Sequence, residues 1–366
     1  MKKIKGLDAL RAIAVLLVIR AHWGPNGFNN YPYLTIVVQK IIPSGSFAVD
    51  FFFVLSGFLI TNILLKSKNN ELASHKFSIL KVFIIRRCLR IFPVYYICLL
   101  CLFIINYPDI RHYIVYYATY TSNYLSFFQS SWNRFSHTWT LSVEEQFYLI
   151  WPFVIIFSPD RFLLKVIIAF IVGGTLMTAL TQYMYGPFSD VLTFNCFNAF
   201  AIGGLYSYAV VEKKTYPKVK KLLVLLLPVA LILYIAMLFN IETLPIRLVN
   251  AIISINIIIY VVEERYGRVA AVIIDSKFLN SLGRISYGIY LFHYAIPYLY
   301  YDFLNLFGIN SKSKSHLKLF LYTPAIAELL HFISLILISY LSFYVIEKNI
   351  LKLKSHFEYK NISKVN

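Results

Sequence analysis

Long apolar runs recur along the whole chain, and they constrain its fold more than any other feature of the sequence. Examples lie at residues 13–19, 47–65, 166–180, 222–239 and 332–346. About 20 such residues are enough for a helix to cross the hydrocarbon core of a bilayer. A membrane β-barrel would instead show short segments that alternate apolar and polar residues. Because the residues are 59% hydrophobic and only 14% charged, the sequence predicts an all-α polytopic membrane protein.

We predict about ten transmembrane helices. Their approximate bounds are 8–25, 46–66, 86–107, 141–158, 162–181, 192–211, 221–240, 246–262, 285–305 and 325–346. Basic residues then fall mainly on one side, within 2–5, 66–81, 161–165, 213–221, 265–277 and 348–354. The opposite side carries few, namely Lys40, Arg111, Arg134 and Arg247, and this orientation leaves Lys312, Lys314 and Lys318 unexplained. An excess of Lys and Arg marks the cytoplasmic side, so both termini are expected in the cytoplasm.

The net charge of +18 is explained by this orientation, and no nucleic-acid partner is predicted. Residues 111–130 contain five tyrosines and little aliphatic sequence. Counting them as a span would turn the basic cluster at 213–221 outward, so we interpret them as an outer, aromatic-rich element. The transmembrane domain is predicted over residues 1–350, followed by a cytoplasmic basic tail at 351–366. No metal site is predicted, because Cys98 and Cys101 have no further His or Cys partner nearby.

Ionisable residues inside membrane helices are costly, and each is therefore a candidate functional residue. In the first helix Arg11 and His22 are eleven positions apart, which places them on nearly the same face and about 16 Å apart along the axis. Asp8 can pair with Arg11 three residues on. An alternative for Arg11 is that it extends to the cytoplasmic interface. His22 is suited to proton transfer near neutral pH, although a structural histidine remains an equal alternative.

Two arginines, Arg87 and Arg90, are predicted on one face at the cytoplasmic end of the third helix. Arginine binds phosphate through two parallel hydrogen bonds, so the pair is suited to a phosphate-bearing ligand. The alternative is simple anchoring of the helix on the cytoplasmic side.

A third polar cluster, at residues 137–146, opens the fourth helix from the outside. It contains His137 and Trp139, and its adjacent carboxylates Glu144 and Glu145 need partners. An alternative is a helix start, with Ser142 as the cap and the two carboxylates in the first turn. Asp50 is a further acidic residue within an apolar span. The glycine pairs at 173–174 and 203–204 are expected to allow close helix packing.

Together these segments resemble the acyltransferase family 3 of integral-membrane O-acyltransferases. The resemblance is carried by LDALRAIA at 7–14 with His22, FFVLSGFLI at 52–60, RCLRIFP at 87–93, HTWTLSVEEQFY at 137–148, GRISYGIYLFH at 283–293 and YVIEK at 344–348. Asn349 stands where the family usually has proline. The segments occur in the family's order and cover most of the chain.

The resemblance implies a ten-helix core in a bacterial cytoplasmic (inner) membrane. It also implies transfer of an acyl group, acetyl by family frequency, from cytoplasmic acyl-CoA to a hydroxyl of an extracytoplasmic glycan such as O-antigen or capsule. Many relatives carry a C-terminal hydrolase-like domain, and this chain is expected to be a stand-alone membrane module. No permanently bound cofactor is expected, since acetyl-CoA is a substrate.

The predicted roles follow from this activity. His22 is the expected general base on the acceptor hydroxyl or, alternatively, an acylated nucleophile. Glu144 or Glu145 is expected to orient it, and Arg11 to steady the oxyanion or the coenzyme. Arg87, Arg90 and Arg11 are the predicted coenzyme-binding residues, and His137, Trp139 and Asp50 the acceptor-side residues. The rival interpretations are a secondary transporter and a glycan-export protein without acyl-transfer chemistry.

Overall fold

The structure is a computed structural model that describes residues 4–24, 43–69, 76–239, 246–309 and 320–357. Within these ranges the chain is helical and contains no strand, which confirms the all-α prediction. The helices are α1 (Leu7–Trp23), α2 (Gly45–Lys68), α3 (Lys76–Ile104), α4 (Ile114–Ala118), α5 (Ser122–Gln129), α6 (Trp139–Phe157), α7 (Asp160–Tyr185), α8 (Thr193–Val211), α9 (Tyr216–Leu238), α10 (Ile246–Val262), α11 (Arg268–Ile274), α12 (Lys277–Arg284), α13 (Ser286–Phe292), α14 (Ala295–Leu306), α15 (Pro324–Leu341) and α16 (Lys348–Lys352). Lys40, Lys312, Lys314, Lys318 and residues 358–366 of the predicted tail lie outside the described residues.

In the described part of the chain, seven helices are long and apolar enough to cross a membrane, namely α2, α3, α6, α7, α8, α9 and α15. α10 is apolar but shorter, and α1 has 17 residues. On α9 the apolar side chains of Leu225 and Ile232 are 67% and 66% exposed. Such a surface is stable against lipid and not against water, so the protein is a multi-pass membrane protein. The count of ten crossings and the cytoplasmic termini stay predictions.

Two predicted spans differ from the observed helices. α3 begins at Lys76, ten residues before the predicted start, so Arg87 and Arg90 lie well inside a helix and not at its beginning. The ninth span, predicted as one helix, is interrupted at His293 and Tyr294, between α13 and α14. A broken helix is tolerated at membrane depth where protein surrounds the break, and His293 is fully buried.

Residues 111–130 form two short helices and not a span. α4 has five residues and α5 has eight, and eight helical residues extend only about 12 Å. Tyr120 lies between them with a positive φ of 53°, a conformation that ends a helix for a bulky residue. The segment is therefore not one continuous transmembrane helix, as predicted, and its place on the outer side stays a prediction.

The described residues divide into two compact units, which are treated separately below. The larger unit comprises Val49–Gly267 with the end of the chain after Ile350. In it α7 packs along α8, and α10 packs against both α8 and α9. Its core includes stacked rings of Phe147 and Phe200, whose centroids are 3.9 Å apart.

Glycines set the distance between α2 and α8 in the larger unit. A Cβ on Gly57 would overlap the carbonyl oxygen of Phe200, and one on Gly203 would overlap that of Val54. Gly204 and Gly174 are also packed closely, whereas a Cβ on Gly173 would meet nothing within 4 Å. The predicted packing role is therefore confirmed for every member of the two glycine pairs except Gly173.

The smaller unit comprises Lys5–Ala48 and Arg268–Asn349. α1 packs against α12 and α13, and α13 packs against α15. A Cβ on Gly283 would overlap the carbonyl oxygen of Asp8. α12 therefore approaches the backbone of α1 directly, and α13 lies beside the C-terminal end of α1.

Candidate functional site

The smaller unit holds a pair of histidines at the end of α1. His22 Nδ1 lies 2.8 Å from His293 Nε2, and the two rings are nearly parallel, at 24°. His293 Nδ1 lies 2.6 Å from the carbonyl oxygen of Tyr290. His293 is buried, whereas His22 is exposed. In the described residues His22 Nε2 makes no hydrogen bond, so one nitrogen of this ring is held and the other is open.

Aromatic side chains fix the position of this pair. The indole nitrogen of Trp23 donates a 3.0 Å hydrogen bond to the carbonyl oxygen of His293. Tyr294 stands edge-on to the His22 ring, with the centroids 5.0 Å apart. His293 and Tyr294 lie in the short turn between α13 and α14, and both of their rings contact the ring of His22 on α1.

Arg11 lies on α1 with His22, as predicted, and its guanidinium donates to Asp8 Oδ1 at 2.8 Å. The predicted pair of Asp8 and Arg11 is therefore confirmed. Because α1 is continuous from Leu7 to Trp23, Arg11 is about 16 Å from His22 along the axis. The oxyanion role predicted for Arg11 stays a prediction, and so does its coenzyme-binding role.

Glu144 lies on α6 in the larger unit, where both of its carboxylate oxygens accept hydrogen bonds. Ser56 donates to Oε1 at 3.1 Å and Tyr148 to Oε2 at 2.9 Å. The guanidinium of Arg87 lies over the Tyr148 ring, 5.2 Å from its centroid. The charges of Arg87 and Arg90 also act on Glu144, and its two hydrogen bonds give the side chain an ordered position.

Glu144 and Glu145 do not lie at a helix start. α6 begins at Trp139, and its first turn contains no acidic residue. The Ser142 hydroxyl does not cap the helix and instead bonds the Ser122 hydroxyl at 2.9 Å. The capping alternative for this cluster is therefore wrong, and the two carboxylates lie in the helix interior.

A cavity of about 250 Å³ opens between α3, α6 and the segment before α5 in the larger unit. Arg87 and Glu145 both line it, together with Tyr96, Tyr120 and Tyr148. Glu145 is only 9% exposed, and its Oε1 atom has no hydrogen-bond partner among the described residues. A buried carboxylate oxygen without a donor is costly, so this wall of the cavity is suited to a ligand that donates a hydrogen bond.

The neighbouring arginines of α3 differ in their surroundings. Arg86 donates to the carbonyl oxygens of Lys354 and Phe357, at 3.1 and 2.8 Å, and therefore ties the end of the described chain to α3. Arg90 is exposed. Arg87 and Arg90, three residues apart, thus remain suited to bind an anion, and their coenzyme-binding role stays a prediction.

Asp50 forms a buried ion pair in the larger unit. Arg247 Nε donates to Asp50 Oδ1 and Asn250 Nδ2 to Asp50 Oδ2, both at 2.9 Å. Arg247 also donates to the carbonyl oxygen of Asp190 at 2.9 Å. The side chain of Arg247 is buried, and its predicted place on the outer side stays a prediction. The pair connects α2 to α10, and the acceptor-side role of Asp50 stays a prediction.

His137 and Trp139 lie at the start of α6. His137 is buried, edge-on to Phe135 with the centroids 4.9 Å apart. Trp139 packs edge-on against Phe53 at 6.1 Å and near Trp132 at 6.4 Å. Both side chains therefore contribute to packing, and their acceptor-side roles stay predictions.

The sequence interpretation did not assign His293, Ser56 or Tyr148 to the site. His293 ends one of the motifs that carry the family resemblance, but that motif by itself indicates no role for it. Tyr148 follows Glu144 at the i,i+4 spacing that brings helical side chains together. Nothing in the order of residues pairs His22 with His293, which are 271 positions apart.

Comparison with known proteins agrees with these motifs. The sequence profile of the Acyl_transf_3 acyltransferase domain matches residues 4–348. The chain belongs to acyltransferase family 3. Peptidoglycan O-acetyltransferase OatA of Listeria monocytogenes is 29% identical over 81% of this chain and 49% of its own length. The putative peptidoglycan O-acetyltransferase YrhL of Bacillus subtilis is 28% identical over 80% of this chain and 48% of its own length.

A putative O-acetyltransferase of Staphylococcus aureus, SACOL0978, is 33% identical over 50% of this chain and 30% of its own length. The chain thus spans about half the length, or less, of these curated relatives. No solved structure matches it.

Proposed function

We propose that this protein is an O-acetyltransferase of the bacterial cytoplasmic membrane. It moves an acetyl group from cytoplasmic acetyl-CoA to a hydroxyl of an extracytoplasmic glycan. The observation that carries the proposal is the geometry of His22, whose Nδ1 bonds His293 while Nε2 is open at an exposed position. The chain that presents this histidine belongs to acyltransferase family 3. A histidine held in this way is suited to take a proton from an attacking hydroxyl.

In the proposed reaction His22 Nε2 is the base. The acceptor oxygen attacks the thioester carbonyl carbon while its proton passes to His22 Nε2. The bond from carbon to sulfur then breaks, the electron pair leaves with sulfur, and the proton passes on to give the free thiol of coenzyme A. The alternative, attack by His22 Nε2 itself to give an acyl-histidine, uses the same open nitrogen.

Two regions of the larger unit support the proposed donor. Arg87 and Arg90 present guanidinium groups suited to the phosphates of coenzyme A, and Arg87 lines the cavity described above. Glu144, held by Ser56 and Tyr148, is the carboxylate that we propose for the transfer machinery together with Glu145.

For the acceptor we propose peptidoglycan as the first glycan to test. The names of the Listeria and Bacillus relatives state peptidoglycan as their substrate, whereas the sequence interpretation named O-antigen or capsule. All of these are exported polymers with free hydroxyls, so one experiment distinguishes them.

The test is mass spectrometry of peptidoglycan, capsule and lipid-linked glycans from cells with the intact protein, with His22→Ala, or with neither. His112→Ala, at an exposed histidine, is the matched control. Acetyl groups that appear with the intact protein and His112→Ala, and are absent with His22→Ala, support the proposal and identify the acceptor. Full acetylation by a membrane-inserted His22→Ala variant would exclude both forms of the mechanism.

A further inference from the structure

His293 is not among the residues expected to perform the reaction, yet it is the hydrogen-bonding partner of His22. Both lie in the smaller unit. A neutral imidazole has one nitrogen that donates and one that accepts, and the partner of one nitrogen decides the role of the other. Which nitrogens of the two rings carry a proton can therefore be worked out, starting from the contact of His293 with the Tyr290 carbonyl oxygen and ending at the exposed nitrogen of His22.

His293 Nδ1 contacts the carbonyl oxygen of Tyr290. A carbonyl oxygen only accepts hydrogen bonds, so His293 Nδ1, 2.6 Å away, must carry a proton. Nε2 of the neutral His293 ring is then without a proton and accepts. His22 Nδ1, 2.8 Å from it, must be the donor. The remaining nitrogen of His22, the exposed Nε2, consequently presents a lone pair.

We infer that His293 is a positioning residue that holds His22 in the tautomer with the proton on Nδ1 and a basic Nε2, directed at the acceptor. Its contact with the Tyr290 carbonyl fixes its own tautomer, and so the backbone of α13 sets the chemical state of a side chain on α1. This inference rests on the proposed function for its kinetic consequence, but the tautomer is measurable without any reaction.

The same arrangement stabilises the transition state. When His22 Nε2 takes the proton of the hydroxyl, the ring becomes an imidazolium, and its Nδ1–H donates to His293 Nε2. A hydrogen bond from a charged donor is about twice as strong as a neutral one. His293 thus occupies the place that a carboxylate takes in triads of serine, histidine and aspartate, but it adds no charge of its own to the buried site.

Two amide substitutions separate the two contacts of His293. In His293→Gln the longer side chain places an amide oxygen near the position of Nε2, where it accepts from His22. In His293→Asn the shorter side chain reaches only the position of Nδ1 and retains the contact with Tyr290. The matched control is His331→Gln, at another buried histidine of this unit, packed among Trp23, Tyr300 and Tyr301.

The first measurement is ¹⁵N NMR of purified, histidine-labelled full chain in detergent, with the His22 signals identified by their loss in His22→Ala. The intact protein, His293→Gln and His331→Gln are expected to show a protonated Nδ1 and an unprotonated Nε2 on His22. His293→Asn is expected to show an Nε2-protonated population instead. Unchanged His22 signals in a folded His293→Asn variant would overturn the inference.

The second measurement is acetyl transfer by the same proteins. The rate of acetyl transfer by His293→Asn is expected to fall about 10²-fold or more, as when a general base is no longer held in its correct tautomer. The rate for His293→Gln is expected to stay within about tenfold of that of the intact protein. Equal rates for His293→Asn and His331→Gln would also overturn the inference. If the intact protein transfers no acetyl group while its His22 tautomer is as stated, the proposed function fails and the assignment of His293 stands.

Discussion

At the scale of single residues, two carboxylates of the larger unit each accept hydrogen bonds from two side chains. Glu144 accepts from Ser56 and Tyr148, and Asp50 accepts from Arg247 and Asn250. The two carboxylates nevertheless differ in environment. Glu144 is half-buried with hydroxyl donors, whereas Asp50 is buried beside a cation. We therefore expect loss of activity from changes around Glu144 and loss of stability from changes at Asp50.

Tyr148→Phe removes the hydroxyl that donates to Glu144 Oε2 and keeps the ring beneath Arg87. Hydrogen bonds to charged groups contribute about 1.5–3 kcal/mol, so we expect acetyl transfer to fall by about 10- to 100-fold with the fold retained. The measurement is release of the coenzyme A thiol by the purified protein. Tyr183→Phe, at a residue that is 91% exposed, is the control, and equal rates for the two variants would show that Glu144 does not depend on this bond.

Asp50→Asn leaves the buried guanidinium of Arg247 without its counter-charge. Removing one partner of a buried ion pair costs about 3–5 kcal/mol, so the free energy of unfolding in mixed detergent micelles should decrease by that amount. The control is Asp275→Asn, which breaks the exposed pair of Lys5 and Asp275 at a cost of at most about 1 kcal/mol. Similar losses from both substitutions would mean that the buried pair is no more stabilising than a surface one.

At the scale of elements, close helix contacts are set by small residues and by ion pairs at the helix ends. α2 and α8 approach each other through Gly57 and Gly203. Glu263, directly after α10, accepts from Lys220 on α9 at 2.6 Å and from Arg265 at 2.7 Å. Both features hold consecutive or neighbouring helices in one register.

Gly203→Ala is expected to destabilise the larger unit, because the new methyl group overlaps the carbonyl oxygen of Val54. Overpacking of this kind costs about 1–3 kcal/mol. Gly173→Ala is the control: its Cβ meets nothing within 4 Å, and alanine is favoured over glycine in a helix by about 1 kcal/mol. In detergent, the midpoint temperature of thermal unfolding should therefore fall for Gly203→Ala and rise for Gly173→Ala. Equal shifts for the two variants would contradict the contact between α2 and α8.

The Glu263 cluster predicts a pH dependence of stability. Burial alone would raise the pKa of the Glu263 carboxyl, but hydrogen bonds from Lys220 and Tyr216 outweigh burial and lower the pKa below its usual value of 4.5. A carboxyl with a lowered pKa in the folded state stabilises at pH values above its unfolded pKa, and this contribution is lost as the pH falls through the folded pKa. Glu263→Gln should therefore lower the free energy of unfolding at pH 7. The difference in this free energy between the variant and the intact protein should shrink as the pH falls below about 4.5. A difference that stays constant from pH 7 to 3.5 would contradict the assignment.

At the scale of the whole molecule, the distribution of basic residues predicts which ends of the helices face the cytoplasm. The segment between α8 and α9 carries Lys213 and Lys214, both exposed, and the positive-inside rule places it in the cytoplasm. The short helices α4 and α5 are expected on the opposite side.

Single cysteines test this orientation. In a chain whose four native cysteines are replaced by serine or alanine, Ser131→Cys should react with a membrane-impermeant maleimide on intact cells. Lys214→Cys should react only after the membrane is made permeable. The reverse pattern would show that the predicted orientation is wrong.

Local sequence patterns were enough to predict the class of fold, the bounds of most long helices and the family. These depend on local properties, namely apolar length, charge in the loops and motifs such as the one from His137 to Tyr148. The sequence also placed Arg11 and His22 on one helix, because helical periodicity fixes relations within an element.

The pairing of polar residues between elements could be seen only in the folded chain. The structure showed that Arg247 is the buried partner of Asp50, that the ninth apolar segment breaks at His293 and that His293 bonds His22. Hydropathy favours a continuous helix through residues 285–305, because apolar composition does not record where a backbone is interrupted. The pairs themselves join residues about 200 or more positions apart. Such contacts depend on how the helices pack, and no local spacing in the sequence encodes them.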